Sequence, residues 1–214
     1  METEITAKIF CTRNEASKIL ERNGFFFKEK FLLVDSYYTH LKLEPDIEYQ
    51  KLLESSIVIR DADFNRRYGS VTSSTLMYKD KLYDERGEVV SETKKTCDIS
   101  SSVAANEIFA LAGFTEWCTK SVNGYVFKKG NNELLIQEVD DLGLFLEIEE
   151  FPSQRGQPES KKMKELIEFA KSLGLPLGHN FNEKISYLLF KKGMASIKTK
   201  QTETVTVSFD IKRK

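Results

Sequence analysis

Apolar and polar residues alternate through most of the first two thirds of the chain. Successive strand side chains point to opposite faces, so this period predicts extended segments with one buried and one polar side. Residues 2–10 place Glu2, Glu4, Thr6 and Lys8 on one side and Ile5, Ala7 and Ile9 on the other. Further strands are expected at 31–39, 56–62, 74–82, 88–97, 115–128, 133–139 and 144–151, separated by loops rich in Asp, Asn, Gly and Arg. That gives about eight strands.

The period changes to three or four residues in four places. Thr12-Arg-Asn-Glu15 has the spacing of a capping box ahead of Ala16, Ile19 and Leu20, and Gly24 is suited to end a helix over 13–23. A second helix is expected over 102–112, ending at Gly113. Pro158 opens a third, over 158–173, whose Met163, Leu166, Ile167, Ala170 and Leu173 form one apolar stripe. A fourth, over 182–192, starts from Asn182 as a cap. Two turn signals compete in the long extended region, Asn123-Gly124 and Gly130-Asn131-Asn132. The hairpin is placed at 130–132, which leaves a long strand on each side. No repeat, low-complexity tract or linker divides the chain, so one domain is expected.

Composition narrows the classes. The 214 residues carry 32 Lys+Arg against 33 Asp+Glu, with 40% hydrophobic residues and only 4 Pro. Near-neutrality gives no ground for generic nucleic-acid binding, and the balance is that of an ordered globule. Cys11, Cys97 and Cys118 are odd in number and lack CxxC spacing, and His40 and His179 are the two histidines. A zinc site or disulfide framework is therefore not expected, and a reducing cytoplasm is the expected compartment. The N-terminus lacks a basic then apolar leader, and no run approaches the ~18 apolar residues of a membrane span. No membrane association is expected.

The glycine-rich phosphate loops, G-x-S-x-G and H-E-x-x-H are all missing. What remains is a set of charges at alternating positions within otherwise apolar strands. Glu147 and Glu149 stand two apart, hence on one strand face about 6–7 Å apart, a spacing able to grip a hard divalent cation. Glu2 and Glu4 form a second such pair with Lys8 further along the same face, while Arg60, Lys79 and Lys120 supply cations from three other strands. Carboxylates at one end and cations at the other suit a polyphosphate bridged by Mg²⁺. The same residues would also serve as the solvated face of an ordinary sheet, or as the outside of a barrel holding an apolar ligand.

Several segments, in order, resemble the CYTH superfamily, the triphosphate tunnel metalloenzymes that include class IV adenylate cyclases and thiamine triphosphatases. Glu4-Ile-Thr6-Ala-Lys8 is similar to the family's E-x-E-x-K strand, and Val34-Asp35-Ser36-Tyr37-Tyr38 to its D-x-Y-[YF] pattern. Ile57-Val58-Ile59-Arg60 resembles L-R-I-R, and Leu76-Met77-Tyr78-Lys79 resembles L-T-Y-K. Residues 139–149, with Leu142-Gly143, Phe145, Glu147 and Glu149, are close to V-x-x-L-G-x-F-x-E-I-E. Ile185-Ser186-Tyr187-Leu188-Leu189 is similar to the S-Y-x-x-L tail of cyclase-type members.

The resemblance implies an α+β domain in which an antiparallel eight-stranded, closed or nearly closed β-barrel forms a tunnel, with helices packed outside. It would occupy residues 1–194, leaving 195–214 as a C-terminal extension able to add an edge strand or to pair in a homodimer. Glu2, Glu4, Glu147 and Glu149 would hold Mg²⁺ or Mn²⁺. Lys8, Arg60, Lys79, Lys120 and Tyr37 would bind the substrate, with Lys8 and Lys79 catalytic. The activity implied is metal-dependent chemistry on a small-molecule triphosphate or nucleotide, by hydrolysis or cyclisation. Four departures count against a complete site: Thr6 replaces a Glu, Val58 an Arg, Val122 a basic residue and Gln137 an Asp. They leave open a catalytically impaired module that binds phosphorylated ligands.

Overall fold

A computed structural model describes residues 3–44, 46–66, 69–83 and 89–193, with the side chains of residues 65, 66, 69, 79–83 and 89–93 outside the description. Eight strands form one antiparallel sheet: β1 (Glu4–Lys8), β2 (Phe26–Thr39), β3 (Ile57–Arg66), β4 (Gly69–Tyr83), β5 (Val89–Ile99), β6 (Thr115–Lys129), β7 (Asn132–Val139) and β8 (Gly143–Glu149). Their spatial order is β1-β8-β7-β6-β2-β3-β4-β5.

The sheet is open, which corrects the expectation of a closed or nearly closed barrel. β1 and β5 lie at opposite ends of the order and do not pair. The reason lies in the backbone groups of β1, whose second edge is already satisfied by a later segment. Thr6 N–H donates to the carbonyl of Phe181 at 3.0 Å, Glu183 N–H to that of Thr6 at 3.0 Å, and Gly178 N–H to that of Lys8 at 2.8 Å. With those donors and acceptors used, β1 has no ladder left to offer another strand.

Residues Arg13–Arg22 form α1, and the capping box is present, with the Thr12 hydroxyl accepting from Glu15 N–H and the Glu15 carboxylate accepting from Thr12 N–H. Helix α4 (Glu159–Ser172) follows Pro158. Both helices lie on one sheet face, where Ile5, Ile9, Phe127, Leu134, Ile136, Leu146 and Ile148 pack with Ala16, Leu20, Leu166, Ala170 and Leu173. Of the three helices expected to pack outside the sheet, 13–23, 102–112 and 158–173, the first and last thus cover this face. Helix α3 (Ser102–Leu111) differs: it has no buried residue, and Val103, Ile108 and Leu111 face outward at 66%, 62% and 89% exposure. It is attached through Phe109, which packs on Tyr38 and Phe114, and through Asn106, whose Oδ1 accepts from the Tyr38 hydroxyl at 3.0 Å.

Asn123-Gly124 lies inside β6, and the chain reverses at Gly130-Asn131 with Gly130 at φ 59°. Gly124 serves packing. A Cβ there would stand 2.1 Å from Cζ of Phe31, whose ring covers the position. Gly124→Ala must displace that ring, so a loss of about 1–3 kcal/mol is expected in chemical unfolding.

Two elements lie on the other sheet face. The short helix α2 (Tyr49–Glu54) has no counterpart in the expected elements, and Leu53 from it packs on Tyr37, Val58 and Met77. Residues 185–193 are helical and set Ile185, Leu188 and Leu189 on Val122, Val139 and Phe145. The expected cap at Asn182 is instead a bridge to Thr6, so this helix begins three residues later. Tyr49 joins the two helices, its hydroxyl 2.7 Å from that of Ser186 and its ring against Trp117, Tyr187 and Phe190. No described helix is long and apolar enough to cross a membrane.

Candidate functional site

Register decides which side chains share the second face. Glu4 pairs with Glu149, Thr6 with Glu147 and Lys8 with Phe145. Gln137 pairs with Phe145, Lys120 with Asp35, Asp35 with Arg60 and Val58 with Met77. Following the alternation from strand to strand puts all of these positions on one face, opposite the face that carries α1 and α4. Lys79 lies in β4 opposite Lys94, two residues beyond Met77, and its side chain is outside the description. Glu2 and the extension from 195 lie outside the described residues.

The centre of the face is an ion cluster. Asp35, fully buried, takes Arg60 Nε on Oδ1 at 2.5 Å and Arg60 Nη2 on Oδ2 at 2.8 Å, while Lys120 Nζ lies 2.9 Å from Oδ2. Burial alone would raise the carboxyl, but the guanidinium and ammonium outweigh it and hold Asp35 below its ordinary range. Its hydrogen bonds likewise raise Arg60. Asp35 belongs to a segment quoted for its motif, yet no site role was expected of it. The missed signal is an Asp at an inward strand position, where an unpaired carboxylate would be costly.

The second group is acidic. Glu147 is partly buried between neutral neighbours, Thr6 across the β1 pairing and the Gln137 amide, which donates to its Oε2. Burial, then the charge of Glu4, with Glu149 adding, pushes Glu147 up to about 7. Lys120 acts in the opposite direction on the same carboxyl, and Glu147 in turn favours the charged form of Arg60. Glu147 and Glu149 also line a cavity of about 300 Å³ with Leu135 and Phe151.

Lys8 stands apart from the Asp35 cluster. Its Nζ lies 4.6 Å from the centre of the Phe145 ring, with burial lowering its pKa and nearby Glu183 partly offsetting this. Gly143, at φ 81°, makes room, since a Cβ there would be 2.9 Å from Lys8 Nζ. Tyr37 is buried against Trp117 with ring centres 5.3 Å apart, and burial pushes its hydroxyl far above the ordinary value. Val58 and Val122, where the resemblance calls for cations, are packing residues under α2 and the 185–193 helix.

The structure thus gathers Arg60 and Lys120 on Asp35, and sets Glu4, Glu147 and Glu149 together on β1 and β8, all on one sheet face. Among the described residues, no group of three or more His, Cys, Asp or Glu side chains converges closely enough to hold a metal ion. The chemistry of Glu4, Glu147 and Glu149 is that of a divalent-cation site, since like charges crowd a half-buried carboxyl, but the three would have to draw closer together to hold an ion.

No protein-family model matches the chain. The chain is 27% identical over 177 residues, 82% of its length and 90% of the other, to "putative adenylate cyclase MJ0240" of Methanocaldococcus jannaschii. Its fold is similar to that of the PH1819 protein of Pyrococcus horikoshii, with a TM-score of 0.59, 21% identity and coverage of 88% of this chain and 97% of that one. It is also similar to that of "putative adenylyl cyclase HpAC1" from Hippeastrum, a protein described as having a dominant triphosphatase activity. There the TM-score is 0.52 at 13% identity, over 90% of this chain and 96% of the other. The chain shares its fold with these proteins and realises it as an open sheet.

Proposed function

We propose that this chain is a divalent-metal-dependent phosphohydrolase acting on a triphosphate along the sheet face opposite α1 and α4. The observation that carries the reading is that one sheet face holds both the Arg60–Asp35–Lys120 ion cluster and the carboxylates of Glu4, Glu147 and Glu149. Glu4, Glu147 and Glu149 would hold Mg²⁺ or Mn²⁺, and the ion would supply neutralisation of phosphoryl oxygens when bound. Arg60 and Lys120 bind the phosphate chain through charge-assisted hydrogen bonds, Lys8 and Lys79 extend the same face, and Tyr37 packs beneath. Water attack at the terminal phosphorus forms one P–O bond and breaks the bridging one, and the fixed cations stabilise the charge that develops. The Hippeastrum protein's described activity supports hydrolysis over cyclisation.

Burial of Val58 and Val122 supports a second reading, a module that binds phosphorylated ligands without turnover. A shortage of cations weakens stabilisation of the transition state more than binding of the ground state. The separating experiment incubates the protein and Mg²⁺ or Mn²⁺ with tripolyphosphate, thiamine triphosphate or ATP. Orthophosphate release is expected. Pyrophosphate from ATP would indicate cyclisation. A thermal shift with tripolyphosphate that fades in salt, without product, would select the binding module. No shift at millimolar tripolyphosphate would reject both.

A further inference from the structure

We propose that Asp35 is the positioning residue of the anion site, holding Arg60 and Lys120 in ligand-ready places before any phosphate arrives. The inference rests on the function proposed above and adds the device that makes two adjacent cations usable.

Arg60 and Lys120 come from β3 and β6, the two strands that flank β2, and Asp35 stands between them in register with both. Two cations this close would repel and swing apart if they lacked a common counter-charge. Asp35 supplies it from beneath: its side chain is 1% exposed, whereas those of Arg60 and Lys120 are 31% and 16% exposed. The carboxylate is therefore sealed in the sheet while the cations keep an outward surface. Arg60 is held side-on, through Nε and Nη2. Such a grip fixes the guanidinium plane and leaves Nη1 outside the pairing, available for a phosphoryl oxygen. The flanking apolar positions strengthen the argument, since Val58 and Val122 offer no charge of their own. Among the described residues, the hydrogen-bonded counter-charge shared by Arg60 and Lys120 is Asp35.

The step is non-covalent, and Asp35 touches no substrate in this scheme. Ligand binding keeps the Asp35 contacts and adds new ones on the far side of the cations, so the ordering entropy of two long side chains is spent at folding.

The test compares wild type with Asp35→Asn and Asp35→Glu, using tripolyphosphate with Mg²⁺ as the probe. Calorimetric titration should show affinity falling at least tenfold in Asp35→Asn, with circular dichroism confirming a folded protein. Asp35→Glu, which keeps the charge at a longer reach, should recover part of the loss. In wild type, the Arg60 Nε–H resonance should be protected from exchange in the free protein and stay so when tripolyphosphate is added. Unchanged or tighter binding by folded Asp35→Asn would overturn the proposal, because Asp35 would then be a bystander or a competitor for the cations. So would a wild-type Nε–H signal that loses protection on adding ligand, a readout that remains if neither variant folds. If wild type does not bind tripolyphosphate while Nε–H is protected, the triphosphate reading fails and the proposal with it. The failure then lies in the ligand, since the grip on Arg60 has been observed.

Discussion

Glu147→Gln should stabilise the metal-free protein above pH 7 and, on the function proposed above, lower metal-dependent turnover. The carboxyl is raised from 4.5 to about 7 by burial first and by Glu4 and Glu149 after it. A group with a raised folded pKa binds more protons folded than unfolded between these values, so stability falls as pH climbs from about 4.5 to 7 and the whole cost is present above. Gln carries no such charge and can still accept from the Gln137 amide. The variant should gain on the order of 2–3 kcal/mol at pH 8 and nothing at pH 4. Millimolar Mg²⁺ should recover most of that difference for wild type, because a cation favours the charged carboxylate, and do little for the variant. Turnover should fall by roughly 10²-fold, the scale of losing one group that stabilises the transition state. Urea melts at pH 4 and 8, with and without Mg²⁺, check the first part and phosphate release checks the second. Equal stabilities at pH 8 would remove the electrostatic account of Glu147.

Leu166→Ala on α4 should cost about 2–5 kcal/mol. Leu166 is fully buried in the cluster that joins α4 to the strands and α1, so truncation leaves a cavity lined by residues from several elements. For a chain of this size each kcal/mol moves the melting temperature by roughly 2–4 °C, so a drop near 10 °C is expected by calorimetry. Leu111→Ala at the end of α3 is the control, since Leu111 is 89% exposed and its removal should change stability by less than about 0.5 kcal/mol. A comparable loss in both would mean that α3 is packed against something the monomer does not contain.

The extended alternating stretches located all eight strands, and α1 was legible from the Thr12–Glu15 capping box with Ala16, Ile19, Leu20 and Gly24. Helix α2 was not: six residues carry too little period to distinguish Tyr49–Glu54 from a loop. Closure of the sheet was an inference from family likeness. It failed on a long-range contact, the claim of residues 176–183 on the edge of β1, which no local pattern encodes. In the site, the residue types at Lys8, Arg60, Lys120, Glu147 and Glu149 were visible. Which of them pair depends on register across β3, β2 and β6, and that brought in Asp35 as the partner of two cations. The substitutions Val58 and Val122 read as lost ligands in sequence. Packed against α2 and the 185–193 helix, they are the floor on which those helices stand.

The placement of β1 beside β8 also sets an order of events for a chain leaving the ribosome. Glu4 and Glu149 face each other across a strand pairing whose two members are far apart in the described chain. The hairpins β3–β4, β4–β5, β6–β7 and β7–β8 join neighbours in sequence and can close early, whereas β1 must wait for β8 to be synthesised and then meet the cost of a very long loop. Until then its alternating edge is exposed to other chains, a hazard for slowly completed sheets. The acidic end of the site is consequently among the last features to assemble. Metal affinity that appears later than sheet formation during refolding would be the kinetic signature of that docking.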